Sequence, residues 1–126
     1  MTIASDLEDI ATAVDQVANL RVQTKYGKAN PACAVVELDR VTAPATHSGG
    51  ANYLVRVLLL VQIGDFRNSL DRIYAFADPA GTVSTSVLTA LLSYANAGEV
   101  SFDGPGLVEY GGQTYGGGVF TVEVFA

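Results

Sequence analysis

Cysteine, histidine and lysine are scarce in this sequence, and each scarcity removes a class of chemistry. Cys33 is the one cysteine among 126 residues. A single thiol forms no internal disulfide, so nothing points to an oxidising compartment. It lies between Ala32 and Ala34 in an apolar run with no basic neighbour in sequence. It therefore reads as a small buried hydrophobe and not as a reactive thiolate. His47 is the one histidine. Alone, it anchors neither a multi-histidine metal site nor a histidine-paired triad, and no Cys or His pair offers zinc-ligand spacing. No lysine follows Lys28. Neither Gly104-Pro105-Gly106 nor the triple glycine at Gly116 can then act as a phosphate-binding loop, which needs a lysine and a hydroxyl residue after its last glycine. The Gly-x-Ser-x-Gly elbow of a hydrolase is missing too. Asp6 with Asp9, and Asp65 with Asp71, can be drawn as carboxylate pairs, but such spacings suit solvated helix caps and faces. The expectation is a protein that is not an enzyme, with no catalytic residues, no cofactor and no metal.

Positive charge of any kind is sparse. Seven Lys and Arg stand against 13 Asp and Glu, for a net charge of −6 and a pI near 4.4. Gripping nucleic acid needs clustered basic residues that displace counterions from phosphate, and the seven are scattered. Long apolar runs are also missing. No strictly apolar run is longer than that from Val57 to Val61, far short of the roughly 20 residues that span a bilayer. Met1 to Asp15 carries acids in place of a basic leader and an apolar block, so no signal peptide is expected and a cytosolic site of assembly is the default.

Apolar residues are abundant, at 49%, while charged residues make up 16%, below the usual share of about a quarter. Such a chain is too apolar for disorder. Its length is that of one domain, residues 1–126, able to bury about two thirds of its unfolded surface. Surplus apolar residues imply either a well-filled core or surface that a partner covers.

Periodicity supplies the elements. Ile3, Leu7, Ile10, Val14 and Val17 recur at spacings of four and three, which makes one stripe of an amphipathic helix. Asp6, Glu8, Asp9, Asp15 and Gln16 are assigned to its opposite side, with Thr2 as N-cap. Leu20 to Tyr26 alternates as a short strand, and Gly27 to Pro31 reads as a turn. Ala32 to Val41 is a second strand, with Cys33, Val35, Glu37 and Asp39 facing one way and Val36, Leu38 and Arg40 the other. Thr42 to Asn52 is a polar loop. Tyr53 to Ile63 is the strongest strand signal, apolar on both faces and hence central. Arg56 interrupts one face. Either it snorkels to the sheet edge, or it pairs with an acid across a subunit contact.

Asp65 caps a predicted helix from Phe66 to Ala77, which Asp78-Pro79-Ala80-Gly81 ends. Thr82 or Ser84 caps another, through about Tyr94, with Val83, Val87, Leu88, Leu91 and Leu92 expected to be buried. Beyond Gly98 the chain is glycine-rich. Short strands are expected at Glu99 to Phe102 and Leu107 to Tyr110, turns at Gly111-Gly112-Gln113 and Gly116-Gly117-Gly118, and a last strand at Val119 to Phe125. Hairpin-connected strands with grouped helices argue for an α+β class: a mostly antiparallel β-sheet with an N-terminal amphipathic helix and two short helices packed on it.

The order of these pieces resembles the small connector proteins of long-tailed bacteriophages, above all the tail terminators. The likeness begins with the first helix ending in Ala18-Asn19-Leu20-Arg21-Val22. It continues through Pro31-Ala32-Cys33-Ala34-Val35-Val36 and the long strand Tyr53 to Val61. It then takes in Ser69 to Phe76 running into Asp78-Pro79-Ala80-Gly81-Thr82-Val83-Ser84, and ends with Tyr115 to Phe125. One departure is the shortness of Ser93 to Glu99, where similar sequences often carry an extra Leu-Gly-Gly-type stretch. The resemblance implies a virion subunit that forms a homo-oligomeric ring, commonly of six copies, at the head-proximal end of the tail. Its partners would be the tail tube protein and the head connector or stopper protein. DNA would pass through the lumen without specific binding, and no membrane is involved. Net acidity suits such a lumen because carboxylates repel phosphate, so acids are expected to outnumber bases on the lumen surface.

Loop length and glycine content nominate the partner surfaces: the loop from Thr42 to Asn52, the region Gly104 to Gly118 and the C-terminal strand. The residues singled out are His47, Ser48, Arg56, Gln113, Tyr115, Phe120 and Phe125. Competing readings are a head-side stopper, completion or minor tail protein, a dimeric α+β ligand-binding or regulatory domain, and a cofactorless enzyme on a ferredoxin-like scaffold.

Overall fold

A computed structural model describes residues 3–17, 20–23, 32–42, 52–61, 70–94 and 97–125. The elements run α1 (Ile3–Asp15), β1 (Arg21–Gln23), β2 (Cys33–Thr42), β3 (Asn52–Val61), α2 (Leu70–Phe76), α3 (Val87–Leu92), β4 (Ala97–Tyr110) and β5 (Gln113–Phe125). The fold is α+β, as expected. Five strands form one sheet in the order β1-β2-β3-β5-β4. Every pairing is antiparallel except the short parallel contact of β1 with β2.

Strand β3 is central, between β2 and β5, and buried from Val57 to Val61 without a break. A strand covered on both faces reads as a continuous apolar run, and this one does. Its odd-numbered residues, Tyr53, Val55, Val57, Leu59 and Val61, join Ala34, Val36, Phe120, Val122 and Val124 in the main core with the three helices. Helix α1 contributes Ile10 and Val14, with Val17 just beyond its end and Ile3 and Leu7 packed at the margin, so the stripe of four-and-three spacing is the face that docks. Asp6 departs from expectation. It is buried, not solvated, because its carboxylate accepts a hydrogen bond from the Tyr94 hydroxyl beyond α3. The proposed caps Thr2 and Asp65 lie outside the described residues.

The helix predicted from Thr82 or Ser84 starts later. Thr82 to Thr85 instead closes a turn, with the Thr82 N–H donating to Thr85 Oγ1 (2.9 Å) and the Ser86 N–H donating to the Thr82 carbonyl (2.8 Å). Ser86 is the N-cap of α3. Val83 and Leu92 are consequently exposed, while Val87 and Leu91 are buried. The Ser86 hydroxyl accepts from the Thr89 N–H (3.3 Å). It donates to the Asp78 carbonyl (2.7 Å), and the Phe76 carbonyl also lies near it (3.2 Å). One buried side chain thus ties the end of α2 to the start of α3. Ser86→Ala removes the cap and leaves buried carbonyls without their donor, so it should cost about 2 kcal/mol in urea unfolding. A loss below about 0.5 kcal/mol would show that the tie is dispensable.

The strands expected at Glu99 to Phe102 and Leu107 to Tyr110 are one strand, β4. Its register against β5 shifts between Ala97 and Val100 and again between Asp103 and Gly106. The second irregularity adds one residue, which reverses the faces beyond it. Val100 and Phe102 therefore pack toward the helices, whereas Val108 and Tyr110 pack on the opposite face of the sheet. The turn at Gly111-Gly112 is as expected, with both residues at positive φ (60° and 79°), the geometry of a tight hairpin. Gly116-Gly117-Gly118 is not a turn. It lies inside β5, paired with Leu59 to Val61 on one side and with Gly106 and Leu107 on the other.

Candidate interaction surface

The helices cover one face of the sheet, and the other face is divided. One half is apolar: Cys33, Val35, Leu58 and Leu60 are buried beneath Val108, Tyr110 and Tyr115 from the far end of the β4–β5 hairpin. The switch of faces in β4 makes this possible, because it turns that end of the hairpin back onto the sheet. The other half is charged, and it carries Glu37 and Arg56 at directly opposed positions of β2 and β3.

Arg56 and Glu37 form an ion pair, with Asp39 Oδ1 at 3.9 Å from the Arg56 Nε. Arg56 therefore has an acid of its own chain as a partner, one strand away. Cross-strand opposite charges at directly facing positions stabilise a sheet, here by about 0.2–1 kcal/mol because both groups are partly exposed. Arg40 differs from expectation as well. The register irregularity between Leu38 and Arg40 puts it on the same face as Glu37. Between the charged half and the hairpin lies an open groove of about 490 Å³, with Glu37, Arg56, Leu58 and Val119 on the sheet side and Leu107 to Gly112 on the hairpin side.

The residues singled out from sequence are thus spread over the molecule. His47 and Ser48 lie outside the described residues. Phe125 ends β5. Gln113 is exposed at the hairpin tip, where its Oε1 accepts a hydrogen bond from the Tyr115 hydroxyl (2.9 Å). Tyr115 is 7% exposed and Phe120 fully buried. Phe120 presents no surface in this conformation, so any part it plays in a partner contact is indirect. Strand alternation points it into the core with Val122 and Val124. Leu107, which was not singled out, is 67% exposed. It opens the short strand expected at Leu107 to Tyr110, inside the nominated region Gly104 to Gly118.

Among the described residues, no group of three or more His, Cys, Asp or Glu side chains is placed to hold a metal ion, and no helix is long and apolar enough to cross a membrane. What the geometry defines is an α+β domain whose sheet is capped by helices on one face and by its own hairpin on the other. No family model matches the sequence, and no curated protein matches it.

Proposed function

We propose that the protein is a structural, non-catalytic virion subunit of a long-tailed bacteriophage. In this reading it is a tail terminator, forming a ring of about six copies that stops growth of the tail tube and joins it to the head connector while DNA passes through. The observation that carries the reading is the form of the sheet. The resemblance implies a sheet with helices packed on it, and in this sheet β4, 14 residues long, is an outer strand that pairs only with β5 among the described residues. A long outer strand exposes unpaired backbone and invites another chain. Net charge of −6 suits a subunit that lines a DNA passage, since acidic surface keeps phosphate from sticking.

Electron microscopy of particles made when the gene carries an early stop tests this. Overlong tail tubes without heads are expected. Filled heads that leak DNA beside tails of normal length would make the protein a head-side stopper, and normal infectious particles would overturn the connector reading. The open groove of about 490 Å³ favours a second reading, a ligand-binding or regulatory domain. A small molecule that raises the melting temperature in proportion to the logarithm of its concentration would support it.

A further inference from the structure

The open groove between the hairpin and the charged half of the sheet carries an excess of acid. Glu37, Arg56 and Glu109 are the ionisable side chains of opposite sign along it. Arg56 is already committed within the chain. Its Nη2 pairs with Glu37, and Asp39 Oδ1 lies 3.9 Å from its Nε. It therefore holds no uncompensated charge for an incoming anion. Arg40, on the same face, stands at a separate hollow with Glu123. Glu109 is exposed on the hairpin side and forms no ion pair among the described residues. The rest of the groove is mainly apolar. Leu58 is buried in it, Val119 is half-buried and Leu107 is exposed. Gly111 and Gly112 bring bare backbone to it, and a Cβ added at Gly112 would meet nothing within 4 Å, so the space beside that turn is open.

We propose that this groove docks an extended segment of a partner protein that combines basic and apolar side chains. Charge sets the sign of the partner. Two acids line the groove and a third stands beside Arg56, against that one cation, so a basic side chain is attracted and an acidic one repelled. Shape favours a chain over a small molecule. A volume of about 490 Å³ is within the range of binding clefts, but a small-ligand site encloses most of its ligand, and an open trough does not. Lysine and arginine meet both demands at once, because their methylene stems cover apolar surface while the charged head reaches past it. The stem would lie over Leu58 and Val119 and the head would reach Glu109. An apolar neighbour in the segment would cover Leu107 and remove that hydrocarbon from water. Docking of this kind is independent of any role in a tail. A ligand-binding domain would place a small molecule in the same groove instead.

Isothermal titration calorimetry of the full chain at about 0.1 M salt, where charges act over about 10 Å, tests this with three short capped peptides. One alternates leucine with arginine, one leucine with serine, and one leucine with glutamate. The arginine peptide is expected to bind with a Kd on the order of 100 μM or tighter, the serine peptide at least about tenfold more weakly, and the glutamate peptide not at all. Glu109→Lys and Leu107→Ser should each weaken the arginine peptide by about tenfold. Glu99→Lys makes the same change of charge at the other end of β4, outside the groove, and should leave the affinity within about twofold. All three positions are exposed, and unchanged circular dichroism melting confirms that each variant folds. No binding of the arginine peptide at about 1 mM overturns the proposal. So does a glutamate peptide that binds as tightly, or a loss with Glu99→Lys equal to that with Glu109→Lys, which would make the attraction one of net charge. Self-association of the wild type that Glu109→Lys abolishes would assign the groove to a second copy, and a small molecule that raises the melting temperature while no peptide binds would uphold the ligand-domain reading; either overturns docking of a partner segment.

Discussion

Gly117→Ala is expected to destabilise the protein by about 4 kcal/mol or more, enough to leave little folded chain in a domain whose total stability is on the order of 5–15 kcal/mol. Two costs add. Gly117 has φ of 142°, where a side chain strains the backbone by about 1–3 kcal/mol. A Cβ at this position would also lie 1.8 Å from the carbonyl oxygen of Leu59, on the central strand. That oxygen is main chain in the middle of a sheet, so it cannot swing aside as the tip of a flexible side chain would, and overpacking of this kind typically costs about 1–3 kcal/mol more. Gly106, paired with Gly117 across β4 and β5, is the control. A Cβ there meets nothing within 4 Å, so Gly106→Ala should stay within about 0.5 kcal/mol of the wild type. Urea unfolding of the two variants measures the difference. Equal midpoints would mean that β5 does not approach β3 as closely as the backbone places it.

That contrast marks where the sequence was legible and where it was not. The stripe from Ile3 to Val17 and the double apolar face of β3 are local, periodic signals. They gave a helix and a central strand within a few residues of the observed ends. Glycine carries no such periodicity. Gly116 to Gly118 was read as a turn because glycine permits positive φ, yet glycine also permits two backbones, or a backbone and a ring, to come close. At position 118 the space for a side chain is filled by Phe102, whose ring carbons lie 2.4 Å from where a Cβ would be. Only the pairing of β5 with its neighbours, a contact between distant parts of the chain, separates the two uses. The cap of α3 failed for a related reason. Thr82, Ser84 and Ser86 all satisfy the local pattern, and the choice fell to Ser86 because its hydroxyl also reaches the carbonyls that end α2. The surface is harder still. Arg56 was visible as an interruption, but its partner Glu37 is set by strand register.

Phe120→Ala is the other change with a large expected effect, and it separates a core role from a contact role for one of the residues singled out at the start. Phe120 is fully buried. It pairs across the sheet with Val57 on one side and Phe102 on the other, and its ring centroid is 4.6 Å from that of Phe102 at a tilt of 41°. Truncating a buried phenylalanine removes its transfer free energy and leaves a cavity, together about 3–5 kcal/mol. In a domain of this size the melting temperature should fall by about 10–20 °C. The loss should be the same in dilute solution, where copies are apart, as at high concentration, because the lost contacts lie within one chain. Phe120→Leu keeps most of the volume and should cost less than about 1.5 kcal/mol. Had Phe120 belonged to a subunit contact, the alanine variant would melt like a wild-type monomer and differ only in assembly. Thermal unfolding at two protein concentrations, read beside the sedimentation of the same samples, decides between them. The core reading requires a concentration-independent drop, and a drop that appears only where the wild type is assembled would overturn it.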